Sequence, residues 1–168
     1  MKNRNVMQKQ DIYAYLKTKN IRHEIIEHKA VYNMEEDSKL QLPYPEADGK
    51  NLFIRDDKKR NYYLLTVKGD KKVNLKAFRE KNHTRALSFA PEHDLMDMLG
   101  VTAGAVTPFG LLNDSERKVQ FCIDKDFFGG SQMIGVHPND NTATVYLKVE
   151  DLIRIIEEHG NQIYVVEF

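Results

Sequence analysis

Apolar residues recur every three or four positions along several stretches of the chain, and this spacing predicts amphipathic helices. The predicted helices cover residues 7–19, 74–81, 92–99 and 149–158. In the last of these, leucine and isoleucine side chains share one face and charged side chains occupy the other. A further short helix is predicted from Asn33 to a point near Leu42, with the Asn33 side chain as its N-terminal cap.

Residues with strong positional preferences mark the predicted helix ends. Asn74 can accept a hydrogen bond from the first turn of its helix, and Pro91 suits the first turn of the next. Gly100 and Gly160 follow the last apolar residues of their helices, where left-handed backbone geometry is common. Asn20 is the predicted stop of the first helix.

Runs of aromatic and β-branched residues predict strands. Lys50–Asp56 and Asn61–Val67 flank a polar turn, so they are predicted to pair as an antiparallel hairpin. The stretch Gly129–Leu147 predicts two strands on either side of a turn at residues 137–142. Other strands are predicted at 22–27, 85–89, 119–123 and 162–167, a loop at 101–113 and a helical turn at 125–128.

Several short strands of non-adjacent origin, combined with helices, are typical of an α+β protein. We therefore predict a curled, mixed but mostly antiparallel sheet of barrel-like form, with the helices packed outside it. No repeat, low-complexity segment or linker divides the chain, and 168 residues are enough to bury one sizeable core. A single domain over residues 1–168 is the expectation.

Composition and charge narrow the class of protein. Hydrophobic residues make up 41% and charged residues 30%, as in ordinary globular domains. The 25 basic residues balance the 25 acidic ones, which argues against bulk non-specific nucleic-acid binding but allows a local basic patch. The single cysteine, Cys122, fits a reducing compartment. Since no apolar run approaches the roughly 18 residues of a membrane span, and the first residues lack the apolar core of a signal peptide, a cytoplasmic protein with no membrane contact is expected.

Several common catalytic arrangements are missing from the sequence. The six histidines form no close pair with ligand spacing, and one cysteine cannot build a thiolate zinc site, so no metal or other cofactor is expected. No Gly-x-Ser-x-Gly elbow or Walker-type phosphate loop is present. Cys122 lies in a predicted strand and is expected to be a buried, unactivated thiol.

Three features remain as candidate chemistry. Lys50 stands at the start of an apolar strand, although a solvated lysine leaving a loop would look the same. The loop Gly104–Pro108 offers backbone amides that can bind an oxyanion or position a water, although an ordinary loop also fits. His137 precedes a proline that favours extended geometry, so a rigid turn can present its imidazole, or simply satisfy it by turn backbone.

Taken in order, these features resemble the YbaK/prolyl-tRNA synthetase-associated editing-domain family, and in particular its free-standing alanyl-tRNA(Pro) deacylase branch. The resemblance is carried by KNLFIRDDKKRNYYLLTV, GAVTPFGLLND and GVHPNDNTATVYL, and it extends from the first predicted helix to Val149. His-Pro followed by Asn-Thr-Ala-Thr and the Gly-x-x-x-Pro loop are its most specific parts.

The resemblance implies hydrolysis of the ester that joins a wrong amino acid to the 3′ end of tRNA(Pro), with the neighbouring ribose hydroxyl helping to activate water. The family's functional lysine, loop glycine and histidine correspond to Lys50, Gly104 and His137, the expected catalytic set. The residues expected to line the substrate site are Asn51, Ala105, Val106, Thr107, Pro108, Pro138, Asn141 and Thr142. Family members often carry an aliphatic residue after His-Pro, whereas this chain has Asn139.

A protein that grips a tRNA acceptor end needs local positive charge. The expected contacts are Arg55, Lys58, Lys59, Arg60, Lys71 and Lys72, although solvated hairpin tips would have the same composition. Expected partners are mischarged tRNA(Pro) and prolyl-tRNA synthetase, with the protein itself a monomer. Two alternatives stay open: deacylation of Cys-tRNA(Pro) or another small aminoacyl-tRNA, and a non-catalytic module that binds a tRNA end or a protein.

Overall fold

A computed structural model describes residues 5–30 and 42–168. Four helices occur in this part of the chain, and their bounds agree with the predicted ones to within about two residues. They are α1 (Lys9–Thr18), α2 (Leu75–Asn82), α3 (Glu92–Asp94, continuing as a π-helical turn over Leu95–Leu99) and α4 (Val149–His159). The short helix predicted from Asn33 lies outside the described residues.

The predicted helix ends are confirmed at the atomic level. The Asn74 side chain accepts a hydrogen bond from the amide of Ala77 in the first turn of α2. Gly100 and Gly160 end α3 and α4 with left-handed backbone geometry, as their positions indicated. Asn20, just after α1, also has a positive φ of 56°.

The predicted α+β fold with mixed, mostly antiparallel strand pairing is confirmed, and the strands are divided between two sheets that do not close into a barrel. The strands are β1 (His23–Glu27), β2 (Gly49–Asp56), β3 (Tyr62–Lys68), β4 (Leu87–Phe89), β5 (Val119–Asp124), β6 (Met133–Val136), β7 (Ala143–Lys148) and β8 (Ile163–Val166). One sheet is antiparallel with the order β1-β7-β6, and the other is mixed with the order β4-β2-β3-β5-β8. The pairs β3–β5 and β5–β8 are parallel, and the rest are antiparallel.

Both faces of the five-stranded sheet are covered, because alternate residues of its strands belong to different apolar clusters. Leu64 and Phe121 join the main core, which also includes the inward face of α4. Leu65 and Cys122 belong to a second cluster on the opposite face, which is completed by Phe78 of α2. The helices therefore lie outside the sheet, as predicted.

The two sheets contact each other through two strands that contain or adjoin predicted functional residues. The first residues of β2 include Lys50, and β6 leads directly into His137; these two strands are in contact. The loop predicted at 101–113 consists mainly of two 3₁₀ turns, Ala103–Ala105 and Pro108–Asn113. None of the helices in the described ranges is long and apolar enough to cross a lipid bilayer.

Candidate functional site

The Gly104–Pro108 loop and the His137 turn are joined by the side chain of Thr107. This threonine is completely buried, and its hydroxyl donates a hydrogen bond of 2.6 Å to the backbone carbonyl of His137. The same oxygen accepts from the amide of Phe109 at 3.3 Å, which caps the 3₁₀ turn Pro108–Asn113. A buried hydroxyl with a donor and an acceptor partner fixes the two segments relative to each other.

Gly104 lies directly beside the same turn. A Cβ atom built on Gly104 would come within 3.1 Å of Nδ2 of Asn141, closer than most side-chain contacts. Gly104 itself is exposed, so its backbone is accessible from solvent on this side of the loop. The glycine therefore allows the Asn141 amide to lie against the loop backbone.

His137 is half-buried, and its ring is oriented by the backbone that follows it. Its Nδ1 lies 2.8 Å from the carbonyl oxygen of Ala143. A carbonyl can only accept, so Nδ1 carries the proton and Nε2 is the basic nitrogen of the neutral ring. This arrangement presents an imidazole of fixed tautomer and orientation.

A second histidine, His28, lies beside the first, with 6.2 Å between the two ring centroids. Its Nδ1 contacts the carbonyl of Lys29 at 2.8 Å, so by the same reasoning Nδ1 is the donor. Its Nε2 then accepts from the hydroxyl of Thr144 at 2.9 Å. Both nitrogens of His28 are used internally, and its role in the described contacts is to support the site.

The turn after His137 is held by its own side chains. The Asp140 carboxylate accepts from the amide of Thr142 at 2.8 Å and from the hydroxyl of the same residue. These hydrogen bonds, with the charge of Lys9, keep the pKa of Asp140 below its usual range. Asn139 has a positive φ of 60°, a conformation that asparagine tolerates better than the aliphatic residue often found there in the family.

The β2 residues of the predicted site occupy the first positions of the β2–β3 ladder. Lys50 is half-buried and pairs with Val67, and within residues 5–30 and 42–168 no carboxylate forms an ion pair with its ammonium. Asn51 pairs with Thr66, whose hydroxyl donates to the Asn51 side-chain oxygen at 2.5 Å. Since side chains alternate along a strand, Asn51 shares the face of Phe53, which belongs to the main core, and Lys50 belongs to the opposite face at the strand end.

The structure therefore brings the Gly104–Pro108 loop and the His137–Thr142 turn into direct contact, and places Lys50 and Asn51 on a strand that contacts β6. No hydrogen bond among the described residues joins Lys50 to the other two segments. Several predicted lining residues are buried and form the support of the site, namely Ala105, Thr107, Pro108 and Pro138. Val106, Asn141 and Thr142 are half-buried at its surface.

The predicted tRNA contacts fall into two groups. Lys58, Lys59, Arg60 and Lys72 are exposed. Arg55 instead forms an ion pair of 2.8 Å with Asp94, and Lys71 forms ion pairs of 2.9 Å and 2.5 Å with Asp124 and Asp126. The charges of this second group are already partly balanced within the protein, so the exposed group offers more positive charge to a phosphate backbone.

Other chemistry receives no support from the described part of the chain. Cys122 is buried, and burial raises the pKa of its thiol to about 12, so the thiolate needed for nucleophilic attack is scarce at neutral pH. In residues 5–30 and 42–168, no three histidine, cysteine or carboxylate side chains are grouped in a way that could hold a metal ion.

Two supporting residues escaped the sequence reasoning, because they are distant from the motifs along the chain. His28 approaches the site through Thr144, and Lys9 at the start of α1 approaches it through Thr142. Lys9 gives no signal in the sequence, since it is one of many lysines on a helix surface. His28 follows a predicted strand, and only the pairing of β1 with β7 shows its proximity to the turn.

This combination of an α+β fold and two joined motif loops defines a class, the aminoacyl-tRNA editing domains. The family model of the aminoacyl-tRNA editing domain matches residues 28–155, and the chain belongs to this family, which confirms the resemblance found in the motifs.

Named relatives cover nearly the whole chain. The prolyl-tRNA editing protein ProX of Acetoanaerobium sticklandii is 42% identical over 159 residues, covering 95% of this chain and 96% of the relative. The prolyl-tRNA synthetase associated domain-containing protein 1 of Mus musculus is 34% identical, covering 88% of this chain and 89% of the relative. A solved structure described as a candidate trans-editing enzyme for prolyl tRNA synthetase superposes with a TM-score of 0.68 at 17% identity, over 95% of this chain and 96% of that one. At 17% identity the superposition is evidence for the fold alone, and it confirms the editing-domain fold.

Proposed function

We propose that this protein is a trans-editing deacylase that hydrolyses the ester bond of mischarged Ala-tRNA(Pro), releasing alanine and tRNA(Pro). The observation that carries the proposal is the buried hydrogen bond from Thr107 to the carbonyl of His137. It joins two of the three motif segments into one site, in a chain whose 42% identical relative is named a prolyl-tRNA editing protein. Mischarged tRNA(Pro) is the proposed partner, and docking on prolyl-tRNA synthetase is a further expectation.

A second hydrolytic site solves a problem that binding alone cannot solve. A synthetase pocket that accepts proline rejects a smaller amino acid poorly, because each missing methylene is worth only about 1–3 kcal/mol. A site too small for proline can hydrolyse the smaller ester and leave the correct product intact. We assign this size limit to the His137–Thr142 turn and the Gly104–Pro108 loop, since the buried hydrogen bond of Thr107 joins the two segments.

The proposed reaction needs little catalytic machinery. Water attacks the ester carbonyl carbon, the carbon–oxygen bond to the ribose breaks, and the ribose oxygen leaves with a proton. The neighbouring ribose hydroxyl assists the water, so no protein nucleophile or cofactor takes part. Backbone amides near Gly104 stabilise the developing oxyanion, an effect worth roughly 10²–10³-fold in other hydrolases.

The side chains have separate proposed roles. Lys50 binds the terminal phosphate or ribose of the tRNA by its charge, which no described carboxylate neutralises. Asn51, held by Thr66, lines the site from the core-facing side of β2, on the opposite face from Lys50. His137 orients the aminoacyl group through Nε2, since its Nδ1 is committed to Ala143.

A deacylation panel tests the proposal. The protein is incubated with tRNA(Pro) charged with alanine, cysteine, serine or proline, and loss of the ester is followed against buffer. We expect rapid loss of alanine and slow loss of proline. Preferential hydrolysis of the cysteinyl or seryl ester would show that the protein is a deacylase for another small aminoacyl-tRNA. If no ester is hydrolysed faster than in buffer, the protein is not a deacylase, and the non-catalytic binding module is the alternative that is left.

A further inference from the structure

The segment before α1 contacts the His137 turn and the end of the 3₁₀ turn Pro108–Asn113 through the backbone of one residue, Met7. The amide of Met7 donates to Oδ1 of Asn113 at 2.8 Å, at the end of the 3₁₀ turn that follows the Gly104–Pro108 loop. The carbonyl of Met7 accepts from Nδ2 of Asn139 at 2.9 Å, in the His137 turn. Asn113 is itself fixed by a hydrogen bond of 2.8 Å to the carbonyl of Leu99.

Lys9, two residues later, contacts the same turn with its side chain. Its ammonium lies 2.9 Å from the hydroxyl of Thr142 and 2.6 Å from a carboxylate oxygen of Glu27. The other oxygen of Glu27 accepts from the hydroxyl of Tyr13 at 2.8 Å. Thr142 in turn donates to Asp140, so a continuous chain of polar contacts connects α1 to the turn.

The position of Lys9 within α1 argues that this contact is its main role. Lys9 is the first residue of the helix, where the positive end of the helix dipole disfavours a cation. The side chain of Lys9 is only 19% exposed, whereas that of Glu27 is 58% exposed. An ammonium placed unfavourably for its own helix, and mostly withdrawn from water, must be compensated by its tertiary partners.

We infer that Lys9 is a positioning residue for the editing reaction: together with the backbone of Met7, which bridges Asn139 and Asn113, it holds the His137–Thr142 turn beside the Gly104–Pro108 loop and so sets the width of the aminoacyl pocket. This inference rests on the proposed function. Loss of the Lys9 contact lets the turn move outwards, which misplaces alanine and admits proline. A displacement of about 1 Å in such a site is enough for a large loss of rate.

The test compares Lys9→Met and Lys9→Arg with the matched control Lys17→Met. Lys17 lies in the last turn of the same helix and is exposed. The readouts are kcat and KM for Ala-tRNA(Pro), the ratio of alanine to proline hydrolysis, and Tm. For Lys9→Met we expect kcat/KM to fall roughly tenfold and the alanine-to-proline ratio to narrow by a similar factor. Lys9→Arg keeps the positive charge and its hydrogen-bond donors, so its ratio of alanine to proline hydrolysis should be close to that of the wild type. Lys17→Met should match the wild type in all readouts.

A second variant reaches the same turn independently of Lys9. Asn139→Gly removes the hydrogen bond to Met7 and keeps the positive φ of 60°, which glycine adopts without strain. Asn139→Gly should also lower the ratio of alanine to proline hydrolysis. If both variants lower Tm while the ratio stays at the wild-type value, the contacts are merely structural and the inference is wrong.

An activity-independent measurement separates this inference from the proposed function. In protein labelled with ¹⁵N-histidine, the imidazole signals of His137 should shift in Lys9→Met and not in Lys17→Met. A wild-type protein that hydrolyses no ester would overturn the proposed function, yet the His137 signals would still decide whether Lys9 positions the turn. Unchanged His137 signals in Lys9→Met would overturn the positioning role even in an active enzyme.

Discussion

Thr107→Val is the substitution that isolates the link between the two site loops. Valine has nearly the shape of threonine, so the change removes one hydroxyl and leaves the packing in place. The hydroxyl makes two hydrogen bonds, to the carbonyl of His137 at 2.6 Å and from the amide of Phe109 at 3.3 Å, and the side chain is completely buried.

The expected cost follows from those two contacts. Each typical hydrogen bond contributes about 0.5–1.5 kcal/mol net, and a buried polar group left without its partner costs about 1–3 kcal/mol. Thr107→Val should therefore lower the free energy of unfolding by about 2 kcal/mol. For a domain of this length, that corresponds to a fall in Tm of roughly 4–8 °C. Because the turn is also released, kcat/KM for Ala-tRNA(Pro) should fall at least about tenfold.

The control is Thr102→Val in the same loop. Thr102 is exposed and its side chain makes no capping hydrogen bond, so the same chemical change should alter stability by less than about 0.5 kcal/mol. Thermal unfolding followed by circular dichroism gives Tm, and deacylation of Ala-tRNA(Pro) gives kcat/KM. Equal Tm and equal kcat/KM for the two variants would refute the claim that Thr107 joins the loops.

Four further substitutions test individual roles in the candidate site. Lys50→Ala should reduce deacylation at least about 100-fold with Tm almost unchanged, and a variant with full activity would contradict its role in binding the tRNA end. His137→Ala should raise hydrolysis of Pro-tRNA(Pro) relative to Ala-tRNA(Pro); the same ratio as the wild type would return His137 to a purely structural role. Gly104→Ala should lower kcat while Tm stays close to the wild-type value, because the added Cβ would come 3.1 Å from Asn141. An unchanged kcat would show that the backbone of this loop takes no part in the reaction. Because the pKa of Asp140 is lower in the folded protein than in the unfolded chain, its carboxylate contributes stability above the unfolded pKa, and this contribution is lost as the pH falls through the folded pKa. The free energy of unfolding, measured as a function of acid pH, should therefore fall less in Asp140→Asn than in the wild type. The same pH dependence in both proteins would contradict this.

Local features of the fold were predictable because their signals lie within a few residues. The hairpin of β2 and β3 combines two apolar runs with a polar turn, and its observed pairing agrees with that reading. The Asn74 cap and the Gly160 stop depend only on side-chain size and backbone preference, and both are present as predicted.

The division into two sheets was not predictable in the same way. Alternation of apolar and polar residues indicates a strand, but it does not show which other strands pair with it. The parallel pairing of β8 with β5 and the antiparallel pairing of β1 with β7 join segments far apart in the sequence. The division of these strands between two sheets follows from their pairing registers, which the local sequence pattern does not contain.

The candidate site shows the same limit. The motif residues Gly104 and His137 were found from local pattern and family resemblance, but the hydrogen bond from Thr107 to His137 spans 30 positions. The contact of Lys9 with Thr142 spans 133 positions, and the ion pair of Lys71 with Asp124 spans 53. Charge and spacing led to the same expectation for Lys71 and Lys72, and only the fold distinguishes the paired lysine from the exposed one.

Deacylation of Ala-tRNA(Pro) and Pro-tRNA(Pro) by the wild-type protein, measured side by side under single-turnover conditions, shows whether the protein is an editing enzyme that excludes proline. We expect the alanyl ester to be hydrolysed at least about 100-fold faster than in buffer, whereas the prolyl ester remains close to its buffer rate. Equal rates for the two esters would contradict the assignment of a size limit to the His137–Thr142 turn and the Gly104–Pro108 loop. If the alanyl ester decays at its buffer rate in the presence of the protein, the proposal that the protein is a deacylase is wrong.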